Sequence, residues 1–201
     1  MNTWLATTAL CLATALSIQA RGAEDRPPIL PTRDVGVIYR VLGGDMGDST
    51  QKLQVTYADN GDHIRLDFFR FAESKFPYAS WIYDGITKRL IVVRPEQREY
   101  VDEAAPEGQV PGSFLTPDMA LEKQRMIAVA GQPCTNWTIK AADPVMNGML
   151  ACLTDEGVLL QLGSADPRIP PRLAALIVRY GPPPDGVFSP PAGFMRVRPR
   201  P

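Results

Sequence analysis

The sequence predicts a mainly β protein, a curved antiparallel sheet packed on one helix. Three observations carry this expectation. Short β-branched and aromatic runs recur between turn-forming clusters, and several alternate apolar and polar residues with period two. A single segment, between Thr116 and Gly131, bears both the start and the stop signals of a helix.

Residues 35–42, VGVIYRVL, form the first expected strand, and the loop GGDMGDS ends it. KLQVTY (52–57) sets Leu53, Val55 and Tyr57 on one face and Lys52, Gln54 and Thr56 on the other. Such alternation marks a half-buried strand of an antiparallel sheet. Residues 58–62, ADNGD, make a hairpin turn in which Asn-Gly supplies positive φ. The return strand HIRLDFF places Ile64, Leu66 and Phe68 opposite His63, Arg65 and Asp67.

A second hairpin runs in through ASWIYD, turns at Gly85-Ile86-Thr87-Lys88 and runs out through RLIVV. After Pro95 comes a short strand, REYVDE, and residues 104–115 read as loop. Thr116, Pro117 and Asp118 then read as N-cap, first-turn proline and first-turn acid of a helix, MALEKQRMIAVA, that Gly131 closes.

Strands resume with TNWTIK and with the hairpin MLACLT–DEG–VLLQLG, where Asp155-Glu156-Gly157 suits a type I turn with glycine in the left-handed position. RLAALIVRY (172–180) reads as a strand, because a glycine and three prolines follow it and no cap precedes it. Seven or eight strands in meander order result, and consecutive hairpins favour sequence neighbours as sheet neighbours.

The chain divides into a leader (1–20), a proline-rich lead-in (21–33), a β domain (34–180) and a proline-rich C-terminal extension (181–201). The first twenty residues carry no charged side chain, and Leu5 to Ile18 is apolar or small. That stretch suits a signal-peptide core and is short for a membrane span, with Ile18-Gln19-Ala20 as a cleavage site; the alternative is an apolar N-terminus that stays. No other run approaches the ~18 apolar residues a span requires. The mature chain is therefore expected in the periplasm or secreted, without a transmembrane span.

A formal net charge of −1 argues against a nucleic-acid partner, which demands a basic face. Cys11 would leave with the leader, so Cys134 and Cys152 remain, an even number in an oxidising compartment. Their spacing is not that of a CxxC redox pair, and with one histidine in the chain a zinc site lacks ligands. A disulfide staple of roughly 3 kcal/mol is the expectation, with two buried reduced thiols as its alternative.

No catalytic residue, cofactor site or metal site is expected. His63 lacks an activated nucleophile, and no G-x-S-x-G occurs. Asp45, Asp48, Asp59 and Asp62 lie among glycines without the ligand spacing of a calcium loop, so turn formation explains them. Asn136-Trp137-Thr138 matches a glycosylation acceptor by chance composition. Aromatics are the richest feature: Phe68, Phe69, Phe71, Phe76, Tyr78, Trp81 and Tyr83 fall close together and must point to both faces. One set fills the core; the second is covered by the helix, lines a groove for an apolar ligand, or meets a protein.

The leader, consecutive hairpins, WIYDG before a strand ending in EYV, one helix and further hairpins resemble the LolA/LolB-like family of periplasmic lipoprotein carriers. The stretch from Gly131-Gln132-Pro133-Cys134 through ACLTDEGVLL to Phe188 and Pro191-Ala192-Gly193-Phe194 is similar to uncharacterised secreted bacterial proteins near that fold. The resemblance implies an unclosed β half-barrel over helices, enclosing a cavity for acyl chains. It implies a periplasmic, non-catalytic binding protein for an acyl chain or lipoprotein. If the first hairpins face the cavity, Ile64, Leu66, Phe68, Trp81 and Tyr83 are its expected lining. The competing expectation is an envelope interaction or sensor module that uses the apolar sheet face or edge to bind a protein. An enzyme comes third.

Overall fold

A computed structural model describes residues 26–42 and 50–198 of the chain. The expected leader, Cys11, Asp45 and Asp48 lie outside the described residues. Among the described ones the chain builds twelve strands in one sheet. They are β1 (Val35–Val41), β2 (Lys52–Ala58), β3 (His63–Phe69), β4 (Ala79–Asp84), β5 (Arg89–Arg94) and β6 (Glu99–Ala104), then β7 (Ala120–Val129), β8 (Gln132–Lys140), β9 (Leu150–Leu153), β10 (Leu159–Gly163), β11 (Leu173–Tyr180) and β12 (Met195–Val197). Their order across the sheet is β12-β6-β5-β4-β3-β2-β1-β11-β10-β9-β8-β7.

The sheet thus holds two meanders, β1–β6 and β7–β11, joined where β1 pairs antiparallel with β11. This corrects the expectation of a single meander of seven or eight strands. Hairpins dictate each local pairing, but the first and last strands of the meanders stay free to pair with each other. A bulge marks that seam: Ile38 pairs with Ile177 and Tyr39 with Ala175, so Leu176 is the extra residue. Bulges bend a strand and raise its twist, which suits a curved sheet.

The expected helix is absent, and its residues form β7. Thr116-Pro117-Asp118 makes a tight turn instead of a cap, with the Met119 N–H donating to the Thr116 carbonyl at 3.1 Å. Ala130 (φ 51°) and Gly131 (φ 74°) form the two-residue hairpin turn between β7 and β8, so this glycine turns a strand rather than closing a helix. Helix-forming residue types misled the sequence reading. A helix built on Leu121 would aim Gln124 and Arg125 inward, one turn away. As a strand, the segment leaves both exposed, while Leu121 pairs across to buried Ile139.

With no α-helix among the described residues to pack on, the sheet curves over the connection between its two meanders. Residues 105–119 cross the inner face and place Leu115 and Met119 in the core. Around them lie Val37 and Tyr39 of β1, Leu53 and Val55 of β2, Ile64 of β3, and Leu153 and Leu160 from the second meander. Tyr39 donates its hydroxyl to the Leu159 carbonyl at 2.7 Å and so ties the two meanders together. The lead-in fastens the same assembly, since Arg26 donates to the carbonyls of Pro117 and Met119.

The disulfide is present. Cys134 of β8 and Cys152 of β9 are joined, with Cα atoms 5.5 Å apart. Asn136 is the register partner of Cys152, so the bond runs diagonally between adjacent strands.

Candidate functional site

The first meander alternates without interruption, and its inner face carries the residues expected to line a cavity. Ile64 pairs with Tyr83 and Leu66 with Trp81, which puts all four, with Phe68, on one side of β3 and β4. Four of these five residues, Ile64, Leu66, Phe68 and Tyr83, are buried in the core, and Trp81 alone is partly exposed. Leu66, Phe68 and Trp81 line an open hollow of about 460 Å³, together with Tyr78, Ala79, Gly112, Ser113 and Phe114.

Gly112 sets how closely the crossing segment lies on these residues. Its φ is +85°, and a Cβ there would approach Ile64 Cγ2 to 2.8 Å. A glycine lets the crossing backbone lie directly on the sheet over Ile64, and the Tyr57 hydroxyl fixes it by donating to the Gly112 carbonyl at 2.8 Å. Phe114 then turns toward Tyr39, ring centroids 6.0 Å apart. Trp81 remains 38% exposed although it points to the same side as buried Ile64.

The walls of the hollow are aromatic. Phe68 meets Trp81 edge-on at 5.1 Å and Tyr78 at 6.5 Å, geometries favoured by ring quadrupoles. Its polar groups are few: Ser113, and the Tyr78 hydroxyl, which shares a hydrogen bond of 2.7 Å with Thr50 Oγ1. Such a surface holds apolar groups by burial. It offers no nucleophile beside a base.

The loop between β3 and β4 continues the aromatic surface outward, with Phe71 54% and Phe76 83% exposed. Lys52 donates Nζ to the Ala72 and Ser74 carbonyls, at 2.8 and 2.6 Å, and so fixes the loop.

The outer face of the same strands has a separate cover. Arg65 donates Nε to both Asp67 carboxylate oxygens at 2.9 Å, and its Nη1 reaches the Val187 carbonyl at 2.9 Å. Ser80 donates to Asp67 as well. Ile82 and Val93 are buried on this side, which the C-terminal segment reaches through Val187 and Phe188. The second apolar face that the aromatic pattern required is thus met in part by the chain's own extension, where the sequence reading had placed a helix, ligand or partner.

His63, set aside as a catalyst, is hydrogen-bonded through Nδ1 to Asp59 Oδ2 at 3.0 Å and lies 5.6 Å from the Phe188 ring. What the sequence reading missed is the role of Gly112-Ser113-Phe114. A positive-φ glycine beside an aromatic in a loop was the available signal, but nothing local reveals which strand such a loop crosses.

No family model matches the chain, and no curated protein matches it by sequence. Solved structures do share its outline. An uncharacterized conserved protein from Thermus thermophilus superposes with a TM-score of 0.55 at 10% identity, over 84% of this chain and 91% of that one. MucB in complex with MucA(peri) aligns with a TM-score of 0.47 at 15% identity, over 80% of this chain and 55% of that chain. At such identities the Thermus likeness shows the fold alone: one open, curved, mainly β sheet.

Proposed function

We propose that the chain is a non-catalytic extracytoplasmic binding module, and that its hollow receives an apolar segment of a protein partner. The observation that carries this reading is the open hollow of about 460 Å³ on the inner face, lined by Leu66, Phe68, Trp81 and Phe114, with Trp81 38% exposed. The hollow opens at the surface, and the loop that follows β3 exposes Phe71 and Phe76. Wide, shallow aromatic grooves suit side chains presented by another protein. The Cys134–Cys152 bond supports an oxidising compartment.

An acyl chain is the second reading, favoured by the scarcity of polar groups in the lining. One titration separates the two. Calorimetry follows the binding of either an extended peptide with one leucine and one phenylalanine, or palmitate. The expected result is binding of the peptide that Ala79→Trp, which fills the groove, weakens about tenfold. Uptake of palmitate alone, blocked by the same substitution, transfers the site to lipid. Binding of both ligands undiminished by Ala79→Trp removes the groove from consideration.

A further inference from the structure

The β6 edge of the sheet is distant in the strand order from the seam and carries an unusual occupant. β6 reads EYVDEA, three carboxylates in six residues. Charged side chains on an edge strand normally repel other strands. Here the edge holds β12, a three-residue strand from the chain's own C-terminal segment, and this pair is parallel whereas every other pair in the sheet is antiparallel.

The charges match. Met195-Arg196-Val197-Arg198 lies against the acidic edge with Met195 opposite Glu99 and Val197 opposite Val101. Arg196 Nη2 reaches Asp102 Oδ2 at 2.8 Å, on a carboxylate that also accepts from Arg89 Nε at 2.9 Å. The hold is slight, however. Parallel pairing is weaker per residue, only three residues pair, and Met195 stays 63% exposed. The Met195 N–H also donates to the Arg98 carbonyl at 2.9 Å, but the segment's anchors on the outer face, Arg65 on the Val187 carbonyl and His63 against Phe188, lie earlier in the chain, so β12 can lift while that cover stays in place.

We propose that the β6 edge is a docking strand for an extended segment of a partner protein with alternating apolar and basic residues, and that β12 is its resident stand-in. Main-chain hydrogen bonds to β6 supply affinity, and Asp102 selects an arginine or lysine at the second position. The resident strand keeps the edge from indiscriminate pairing until a better-matched segment displaces it. This surface is separate from the groove and stands whether or not the groove takes a protein.

The test uses the full chain and a fluorescent peptide of its own last eight residues, FMRVRPRP, read by anisotropy. Arg196→Glu sets like charges against Asp102 and frees the edge, so the peptide should bind about tenfold more tightly than to the wild type. Glu99→Cys with Met195→Cys, oxidised, pins β12 down, and binding should fall at least tenfold below wild type. Equal affinity for all three chains overturns the proposal, as does absence of binding to both wild type and Arg196→Glu. Concentration-dependent dimers of Arg196→Glu without peptide uptake also overturn it, by assigning the edge to a second copy. Should Arg196→Glu lose its near-ultraviolet signal, wild type against the pinned chain decides alone.

Discussion

The two meanders are made of similar residues and differ in regularity. From β1 to β6 the strands are six or seven residues long, and every pairing among them keeps its register without a shift. From β7 to β11 lengths range from four to ten residues, and shifts occur between Lys123 and Met126 and between Leu159 and Gln161. The irregular half is also the one with the disulfide. Uninterrupted alternation fixes register by itself, because a slip of one residue would turn every apolar side chain outward. Short, bulged strands specify register less firmly, and the covalent bond joins β8 to β9, the unshifted pair that lies between the two irregular ones.

That contrast can be broken most forcefully at the cysteines. Replacing both Cys134 and Cys152 with alanine should cost about 3 kcal/mol in urea denaturation under non-reducing conditions. Hydrogen exchange should then show protection lost chiefly in β7–β10 and kept in β2–β5. Equal loss in both halves would mean that the bond stabilises the whole sheet rather than compensating for one irregular half.

A smaller effect is expected where the regular meander meets the crossing segment. Gly112→Ala forces a Cβ against Ile64 at a positive φ and should cost about 2 kcal/mol. It should also disturb Trp81 emission while leaving exchange around Cys134 and Cys152 nearly unchanged. A silent substitution would show that the crossing backbone has room to move off the sheet.

The smallest effect concerns the tyrosines that bind the halves and the crossing segment together. Burial raises the pKa of Tyr57, and burial followed by the neighbouring Tyr57 hydroxyl raises that of Tyr39. The folded state therefore holds these protons more tightly than the unfolded chain does. Their contribution is complete below about pH 10, the unfolded tyrosine value, and is lost as pH rises beyond it. Tyr57→Phe, which gives up the bond to the Gly112 carbonyl, should cost about 1 kcal/mol at neutral pH. Adding Tyr39→Phe should flatten the alkaline fall in stability, and an unchanged slope would place its origin in other groups.

Legibility followed the same division. In the regular meander the strands β2 to β5 lie where alternation and turn residues placed them, because each side chain's face is decided by its neighbours two residues away. The inner face of Leu66, Phe68 and Trp81 was legible for the same reason. In the other half, β7 was misread as a helix: Ala, Leu, Glu, Lys, Gln, Arg and Met favour helix in isolation, and only the neighbouring β8 offers ten residues something to pair with. β12 was lost among prolines, since three residues carry too little pattern to announce a strand.

The sequence by itself determined that the chain is mainly β, where most hairpins turn and which side chains share a face. These follow from interactions among residues close along the chain. Tertiary structure alone decided that β1 pairs with β11, that a loop and not a helix crosses the inner face, that Gly112 lies against Ile64 and Leu66, and that β12 occupies the acidic edge. Each of those joins residues tens of positions apart, and which distant surfaces meet depends on the total apolar area and hydrogen bonding satisfied at once, a quantity no local pattern contains.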